Sequence, residues 1–534
     1  MTPKIGRRGV LTGMAAVAAL PAAAAAQAPS TGAPAALPDP AQADAPVYRT
    51  DNARWQAAYD KALGVLAGNV QVLPRFSAPV LIEGADYAGV WMECGPHEAL
   101  VYRRFRPDVA RNTHMTFFAL QRMDGQLPYN NKATGTGFGQ IQMVVPIAAT
   151  AWELARATGD QELLETAYRA GAAWDGWLTR WRNTRGTGLV EGFCTYDTGM
   201  DNSPRWAGIP PQCPNQDAKR FPAGLALPRL CPDLSATSFG ARTALSQMAA
   251  ALGQPDAAAH WAEQADAIRA RILSVLYVAG DAAFYDLDAN GAFVKTRSDI
   301  LSRVCGEHVV DQALFDDLWT RQIHNPSAFW ARYPLPSVAL DDPAFVRPIA
   351  ANSWGGPSQA LTALRAGRWL DHYGRGSAFA QMMERWCEAI MADMTFRQQI
   401  DPLSGQFSDG LPGYSPCALV MIDYTWRLAG VVETPDALHW NVRPGHAAAQ
   451  GARFAMKTDA GVTAQMVYDG KGADLTLGGK TLGRVEGAAR LVTDKAGGPL
   501  SLRGVSEQAQ AVVLRRPGHP VLRARLLPDQ DLTF

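Results

Sequence analysis

The sequence predicts a mainly α fold, a toroid of paired helices, followed by an antiparallel β-sandwich. Three observations lead there. Apolar residues recur at helical steps from about Ala53 to Gly430, and the pattern changes to strict alternation beyond about Leu438. Two connections, 182–235 and 324–356, are Pro-rich and far longer than ordinary loops, as expected of functional segments gathered at one mouth of a ring.

The N-terminus stands apart from that fold. Arg7 and Arg8 precede Val10–Leu20, an apolar stretch broken only by Thr12 and Gly13, and Pro21 and an alanine run follow. This is the layout of a secretory signal, and the paired arginines resemble a twin-arginine export signal. The stretch is too short to span a bilayer, which takes about 20 apolar residues. Residues 1–26 are therefore expected to be removed after Ala26, leaving a periplasmic or secreted protein. Residues 27–50, rich in Ala and Pro, are expected to form a disordered leader. No later apolar run is long enough to span, so no membrane contact is expected after cleavage.

Within the helical domain, 51–435, Leu163, Ala167, Ala170, Trp174, Trp177 and Trp181 recur in steps of three and four, one core-facing stripe on a helix opened by Asp160. Trp261, Ala265, Ile268, Ile272 and Val275 repeat the stepping. Further helices are predicted over 53–68, 112–123, 139–158, 236–252, 309–323, 357–373, 376–394 and 416–429, with room for one or two more in the loops. In the second domain, 436–534, Val462, Ala464, Met466 and Tyr468 alternate with other residues and Asp469-Gly470 supplies a hairpin turn. Leu475 and Leu477 alternate before a second turn at Gly478-Gly479.

Composition narrows the function. The 50 Lys+Arg balance 50 Asp+Glu, so no basic face for nucleic acid is expected. Seven cysteines leave at least one thiol free, and Cys213 with Cys231, bracketing a Pro-rich loop, is the expected disulfide. There is no Cys-x-x-Cys or His-x-x-x-His, so neither metal nor cofactor is expected.

The chemistry concentrates in the first long loop. Glu191, Asp197 and Asp201 fall within eleven residues, interleaved with Phe193 and Tyr196 and followed by Trp206, and Gly199 and Pro204 exclude a regular helix. Glycoside hydrolysis needs one carboxylic acid held protonated for the leaving oxygen and a second carboxylate across the ring. Holding an Asp protonated near pH 7 takes a shift of about 3 units, or about 4 kcal/mol. Burial among aromatics and a neighbouring like charge both push that way. A solvated acidic loop with Asp201 capping a short helix is the plainer alternative.

Asp197-Thr-Gly-Met-Asp201-Asn-Ser-Pro-Arg-Trp206 resembles the signature loop of the six-hairpin (α/α)6 glycosidases, the trehalase, processing α-glucosidase and mannosylglycerate hydrolase group (glycoside hydrolase family 63-like). The resemblance covers roughly 110–435. It implies an (α/α)6 toroid, with Asp201 as general acid and Asp197 as a substrate-binding carboxylate. Asn202, Trp206 and Arg205 accompany them, the arginine facing substrate or another acid. Ala283–Asp288 is similar to a segment closing a barrel hairpin. Asn352-Ser-Trp354-Gly-Gly-Pro357 resembles a sugar-binding loop whose arginine is replaced by Gly355, and Trp354 reads as core or as a sugar platform.

Asp401-Pro402, followed by Tyr414-Ser415, looks like the segment carrying the second catalytic group, but Gln398 stands where the general-base glutamate belongs. An amide has no useful proton affinity. Asp409, Asp401 and Glu93 are the replacement candidates, with Asp409 favoured. Glu93 sits beside Trp91 in another polar, Trp-flanked loop. Gln140 and Gln142 read as helix-terminal polar residues or sugar ligands, and Asn130 and Asn131 as turn formers. The expectation is an exo-acting, inverting α-glycosidase, α-glucosidase-like, on small uncharged saccharides or glycan ends. The rivals are an α-L-rhamnosidase or polysaccharide lyase on the same toroid, with Tyr196 and Arg205 serving the lyase, and a non-catalytic saccharide-binding protein lacking its base.

Overall fold

Asn52 starts the helical domain: its side chain accepts the Trp55 N–H at 3.0 Å, the bond an N-cap supplies to an open first turn. The computed structural model describes residues 45–347 and 352–534. The signal expected over 1–26 lies outside the described residues, as does most of the leader. The end of that leader is corrected: Val47–Arg49 form a strand on Arg453–Lys457, with Val47 opposite Ala455. The segment is ordered because an otherwise open sheet edge takes up its backbone groups.

The helices are α1 (Ala53–Gly68), α2 (Gly95–Tyr102), α3 (Pro107–Ala119), α4 (Ile147–Thr158), α5 (Gln161–Trp181), α6 (Pro232–Ala251) and α7 (Pro255–Arg271). They continue with α8 (Ile300–Gly306), α9 (Gln312–Leu318), α10 (Ala360–Arg365), α11 (Gly367–Leu370), α12 (Gly376–Asp393) and α13 (Ser415–Ala429). The inner ring runs α2–α4–α6–α8, then through α11 and its neighbour α10 to α13, which returns to α2. Outside it, α3 packs on α2, α5 on α4, α7 on α6, and α1 and α12 on α13. This is the expected toroid of helical hairpins.

Local chemistry accounts for the strongest elements. Asp160 accepts the Leu163 N–H at 2.9 Å and opens α5, whose stripe buries Leu163, Ala167, Ala170, Trp174 and Trp177. Trp174 and Trp177 stack at 5.1 Å. Left-handed Gly159 ends α4. Helix α13 is buried on nearly every face because it stands in the inner ring.

Several boundaries shift. The short inner helices α2 and α8 hid in predicted loops, where too few turns were present to show a period. The helix expected over 139–158 begins at Ile147, and the one expected over 357–373 opens with a two-residue strand, Ser358–Gln359, paired to Gln399–Ile400. Strands also take a larger share than a mainly α fold implies. Among the described residues, five sheets of two to four strands accompany the helical region, besides the two C-terminal ones.

Those two are an antiparallel seven-stranded sheet, edged by Val47–Arg49, and an antiparallel five-stranded sheet beginning at Val431–Glu433, before the expected boundary at 436. Thr463–Tyr468 pairs with Gly472–Leu477 across the Asp469-Gly470 turn, and Gly478-Gly479 makes the next turn. Trp440, Met466, Leu475 and Leu491 are buried in the same continuous core as the helices. Among the described residues, the expected division at 435/436 is thus a change of secondary structure within one compact unit. Among the described residues, no helix is long and apolar enough to cross a membrane.

Candidate active site

Five of the six inner helices are entered through segments that meet at one mouth of the ring. There they line a pocket of about 250 Å³. Glu83, Tyr87, Trp91 and Glu93 come from the approach to α2, and Tyr129, Asn130, Lys132, Gln140 and Gln142 from the approach to α4. Tyr196, Gly199, Asp201 and Gln212 precede α6, Trp354 precedes α10, and Gln398 precedes α13. Short strand pairs stitch these approaches together: Gly89–Trp91 on Asn130–Lys132, Glu191–Gly192 on Arg229–Leu230, and Ser358–Gln359 on Gln399–Ile400.

Asp201 is a half-buried carboxyl of this pocket. Burial and then the charge of Glu93 push it up to about 7, against a hydrogen bond from Asn352 Nδ2 to its Oδ2 at 3.0 Å. Asn352 also donates to Tyr87 Oη at 3.0 Å, Tyr87 Oη donates to Gln398 Oε1 at 3.0 Å, and Gln398 Nε2 donates to Asn352 Oδ1 at 3.3 Å. The backbone also fixes the acid, since Trp354 N–H donates to Asp201 O at 3.0 Å.

Glu93 lies beside the acid loop because residue 199 is glycine. At its φ of +63° any Cβ would stand 1.9 Å from Glu93 Oε2. Gln142 Nε2 donates to that oxygen at 2.7 Å, and Gln142 is held in turn by Gln140 and, through it, by Gln212. Gln142 adopts a φ of +41°, an unfavourable conformation for a residue with a Cβ, and the chain of amides holds it there. Burial raises Glu93, while Gln142, Arg303 and Arg365 oppose that shift. Behind it, Glu83 is raised by burial and then by Glu93 and Glu98, although Tyr414 Oη donates to it at 2.7 Å. Glu98 is pushed up to about 8, with both carboxylate oxygens buried and unpartnered.

Of the residues expected at the substrate, Trp91, Glu93, Asp201, Trp354 and Gln398 line this pocket. The rest of the acid loop faces inward. Asp197 is fully buried, paired with Arg182 and accepting the N–H groups of Ile141, Phe193 and Cys194. Its two oxygens are filled by Arg182 and these backbone groups, leaving none for sugar. Arg205 is likewise fully buried, doubly bonded to Asp233 and to Asp286 at 2.7–2.8 Å, so it meets other acids and not substrate. Trp206 packs in the core with Nε1 on Thr198 at 3.0 Å, and Asn202 is exposed, bonded to Asn352 O at 2.8 Å.

The favoured base is displaced too. Asp409 is exposed and does not line the pocket, and Asp401 is occupied by Arg347 and by the turn at Leu403 and Ser404. Glu93 is the remaining candidate in contact with the cavity. The Cys213–Cys231 pairing is also corrected: Cys213 lies against Cys194, and Cys231 lies with Asp233 and Asp286. A group of ligand-type atoms at Cys231, Asp233 and Asp286 has both carboxylates taken by Arg205.

The sequence reading left Gln140 and Gln142 open and missed Tyr87, Tyr129 and Asn130 as pocket residues. Gln140 and Gln142 are buried in an irregular segment before α4, where a helix was expected, so no period marked them. Asn130 and Asn131 belong to a strand, not a turn.

No curated protein matches the chain in sequence. Among solved structures, a GH63 mannosylglycerate hydrolase from Thermus thermophilus superposes with a TM-score of 0.57 at 19% identity, covering 69% of this chain and all of that one. Neutral trehalase from Saccharomyces cerevisiae gives 0.51 at 12% identity, over 68% of this chain and 79% of its own. A GH78 rhamnosidase of Bacillus sp. GL1 gives 0.53 at 12% identity, over 79% and 40%. At these identities the likeness is one of fold, the (α/α)6 glycosidase architecture. The family model of the mannosylglycerate hydrolase MGH1-like glycoside hydrolase domain matches residues 87–426, more than half of the chain. The protein is a glycoside hydrolase and belongs to the MGH1-like family.

Proposed function

We propose that the protein is an exo-acting, inverting α-glycosidase that removes a terminal sugar from a small saccharide, with Asp201 as general acid. The observation that carries this reading is Asp201 itself: a carboxyl raised to about 7, in a pocket of about 250 Å³ walled by Tyr87, Trp91 and Trp354. Aromatic walls suit the apolar faces of a sugar ring, and the amides of Gln140, Gln142 and Gln398 suit its hydroxyls. A pocket of this size supports exo action on one sugar unit.

Asp201 gives its proton to the glycosidic oxygen as the bond to the anomeric carbon breaks. Glu93, in place of the expected Asp409, takes a proton from the water that attacks the opposite face. Arg303 and Arg365 favour its ionised form. Gln398 binds in this scheme and does not act as a base. Export through the twin-arginine-type signal goes with this reading, and detection of a chain beginning at Gln27 in a periplasmic extract would test it.

The experiment is to follow the first-formed product by proton NMR on a panel of α- and β-linked disaccharides. An inverting enzyme releases the β anomer from an α linkage. Release of the α anomer, or cleavage of β linkages only, overturns the proposal. A pair of acting carboxyls about 5–5.5 Å apart, instead of about 6.5–9.5 Å, would also indicate retention. Cleavage confined to α-L-rhamnosides would favour the rhamnosidase rival, and products absorbing in the ultraviolet would favour a lyase.

A further inference from the structure

The loop carrying Asp201 is closed at its neck. Thr195 N–H donates to Pro210 O and Tyr196 N–H to Pro211 O, both at 3.0 Å, so the chain leaves and returns side by side. At the end of that neck Cys194 Sγ and Cys213 Sγ are 3.6 Å apart, sealed from solvent with Phe193. Cys213 N–H is anchored on Gly139 O at 3.2 Å, next to Gln140, and Gln212 reaches the pocket just before it.

We propose that Cys194 and Cys213 are a disulfide site, and that their bond is the clasp of the loop that carries Asp201. Sulfurs already in contact need only a small side-chain adjustment to reach bonding distance, about 2.05 Å. A metal ion is the competing use, because Cys194, Asp197 and Cys213 offer three ligand-type atoms within 4.8 Å of one another. The surroundings disfavour a cation. Asp197 is saturated by Arg182 and backbone N–H groups, and the Arg182 guanidinium stands 3.7 Å from Cys213 Sγ.

The oxidant is a donor disulfide, such as oxidised glutathione or an oxidoreductase. The thiolate of one cysteine attacks the donor, forming a mixed disulfide and releasing one donor thiolate. The second cysteine's thiolate attacks that cysteine's sulfur, forms the Cys194–Cys213 bond and releases the other. Two protons and two electrons pass to the donor, which leaves as two thiols. In the finished fold burial raises the Cys194 thiol well above its ordinary range. The exchange therefore needs the loop neck open, so that the thiols are not sealed.

The test produces the full chain in an oxidising compartment, without reductant. It is denatured in acid, its free thiols are alkylated, and its peptides are mapped by mass spectrometry. A linked peptide pair holding Cys194 and Cys213 is expected. Reductant should then lower the Tm by several degrees, whereas Cys194→Ser should have the lower Tm already and not respond. Alkylation of both residues, a link from Cys213 to Cys231, or stoichiometric zinc with both thiols intact would each overturn the proposal. The peptide map uses the unaltered protein, so the test holds even where a variant fails to fold.

Discussion

Asn352 donates a hydrogen bond to Asp201 at 3.0 Å, joining a loop before α10 to the acid before α6. The bond favours the ionised carboxylate, opposing the burial and the Glu93 charge that raise the group. Asn352→Ala should therefore move the alkaline limb of the pH–rate profile upward by about 0.5–1 unit, with solvent screening limiting the effect. A downward shift in kcat against pH would refute that sign.

Asp201→Asn should lower kcat by about 10²–10⁴-fold while leaving the protein folded, because it removes only the proton donor. Its stability carries an independent signature. An unfolded Asp titrates near 4, and Asp201 in the fold near 7. The raised group contributes stability that is complete below about pH 4 and is lost as pH rises through 7. The Tm of Asp201→Asn, relative to the unaltered protein, should accordingly rise across that window in calorimetric scans.

Glu93→Gln separates two roles in one profile. Loss of its negative charge should bring the alkaline limb, set by Asp201, to lower pH. Loss of a general base should reduce kcat by about 10²–10⁴-fold with a smaller change in KM. Rescue of turnover by azide, yielding a glycosyl azide of inverted configuration, would identify the missing group as the base. Retention of full kcat would exclude Glu93 from that role.

Gln398→Glu should not increase turnover. The amide's donation to Asn352 Oδ1 would be lost, and a new negative charge would stand in the network around Asp201, raising it further. A gain in kcat would mean that position 398 is a working base site and that Glu93 is not the base.

Arg205→Lys should destabilise the protein by about 3–5 kcal/mol in denaturant titrations. Arg205 spans Asp233 and Asp286 through four bonds of 2.7–2.8 Å, a fork geometry that an ammonium cannot reproduce. A cost below about 1 kcal/mol would show that the buried cluster is not what orients the loop.

The sequence by itself determined the elements whose cause lies within a few residues. Asn52 and Asp160 cap their own helices, the 163–177 stripe is a helical period, and the 463–486 hairpins follow from alternation and glycine turns. The acid loop was legible for the same reason, since Gly199, Asp201 and Pro204 act over a few positions. The tertiary structure decided which way those side chains point. Asp197 was expected at the sugar, but Arg182 draws it inward, and of the two partners open to Arg205, substrate or another acid, the acids Asp233 and Asp286 take it. Glu93, far from Asp201 in sequence, faces the same cavity because ring closure brings the approaches to α2 and α6 together. Cys213 meets Cys194 and not Cys231 because the loop neck pairs 195–196 with 210–211. Local patterns carry local conformation, but partners distant in sequence depend on how the inner helices close into a ring.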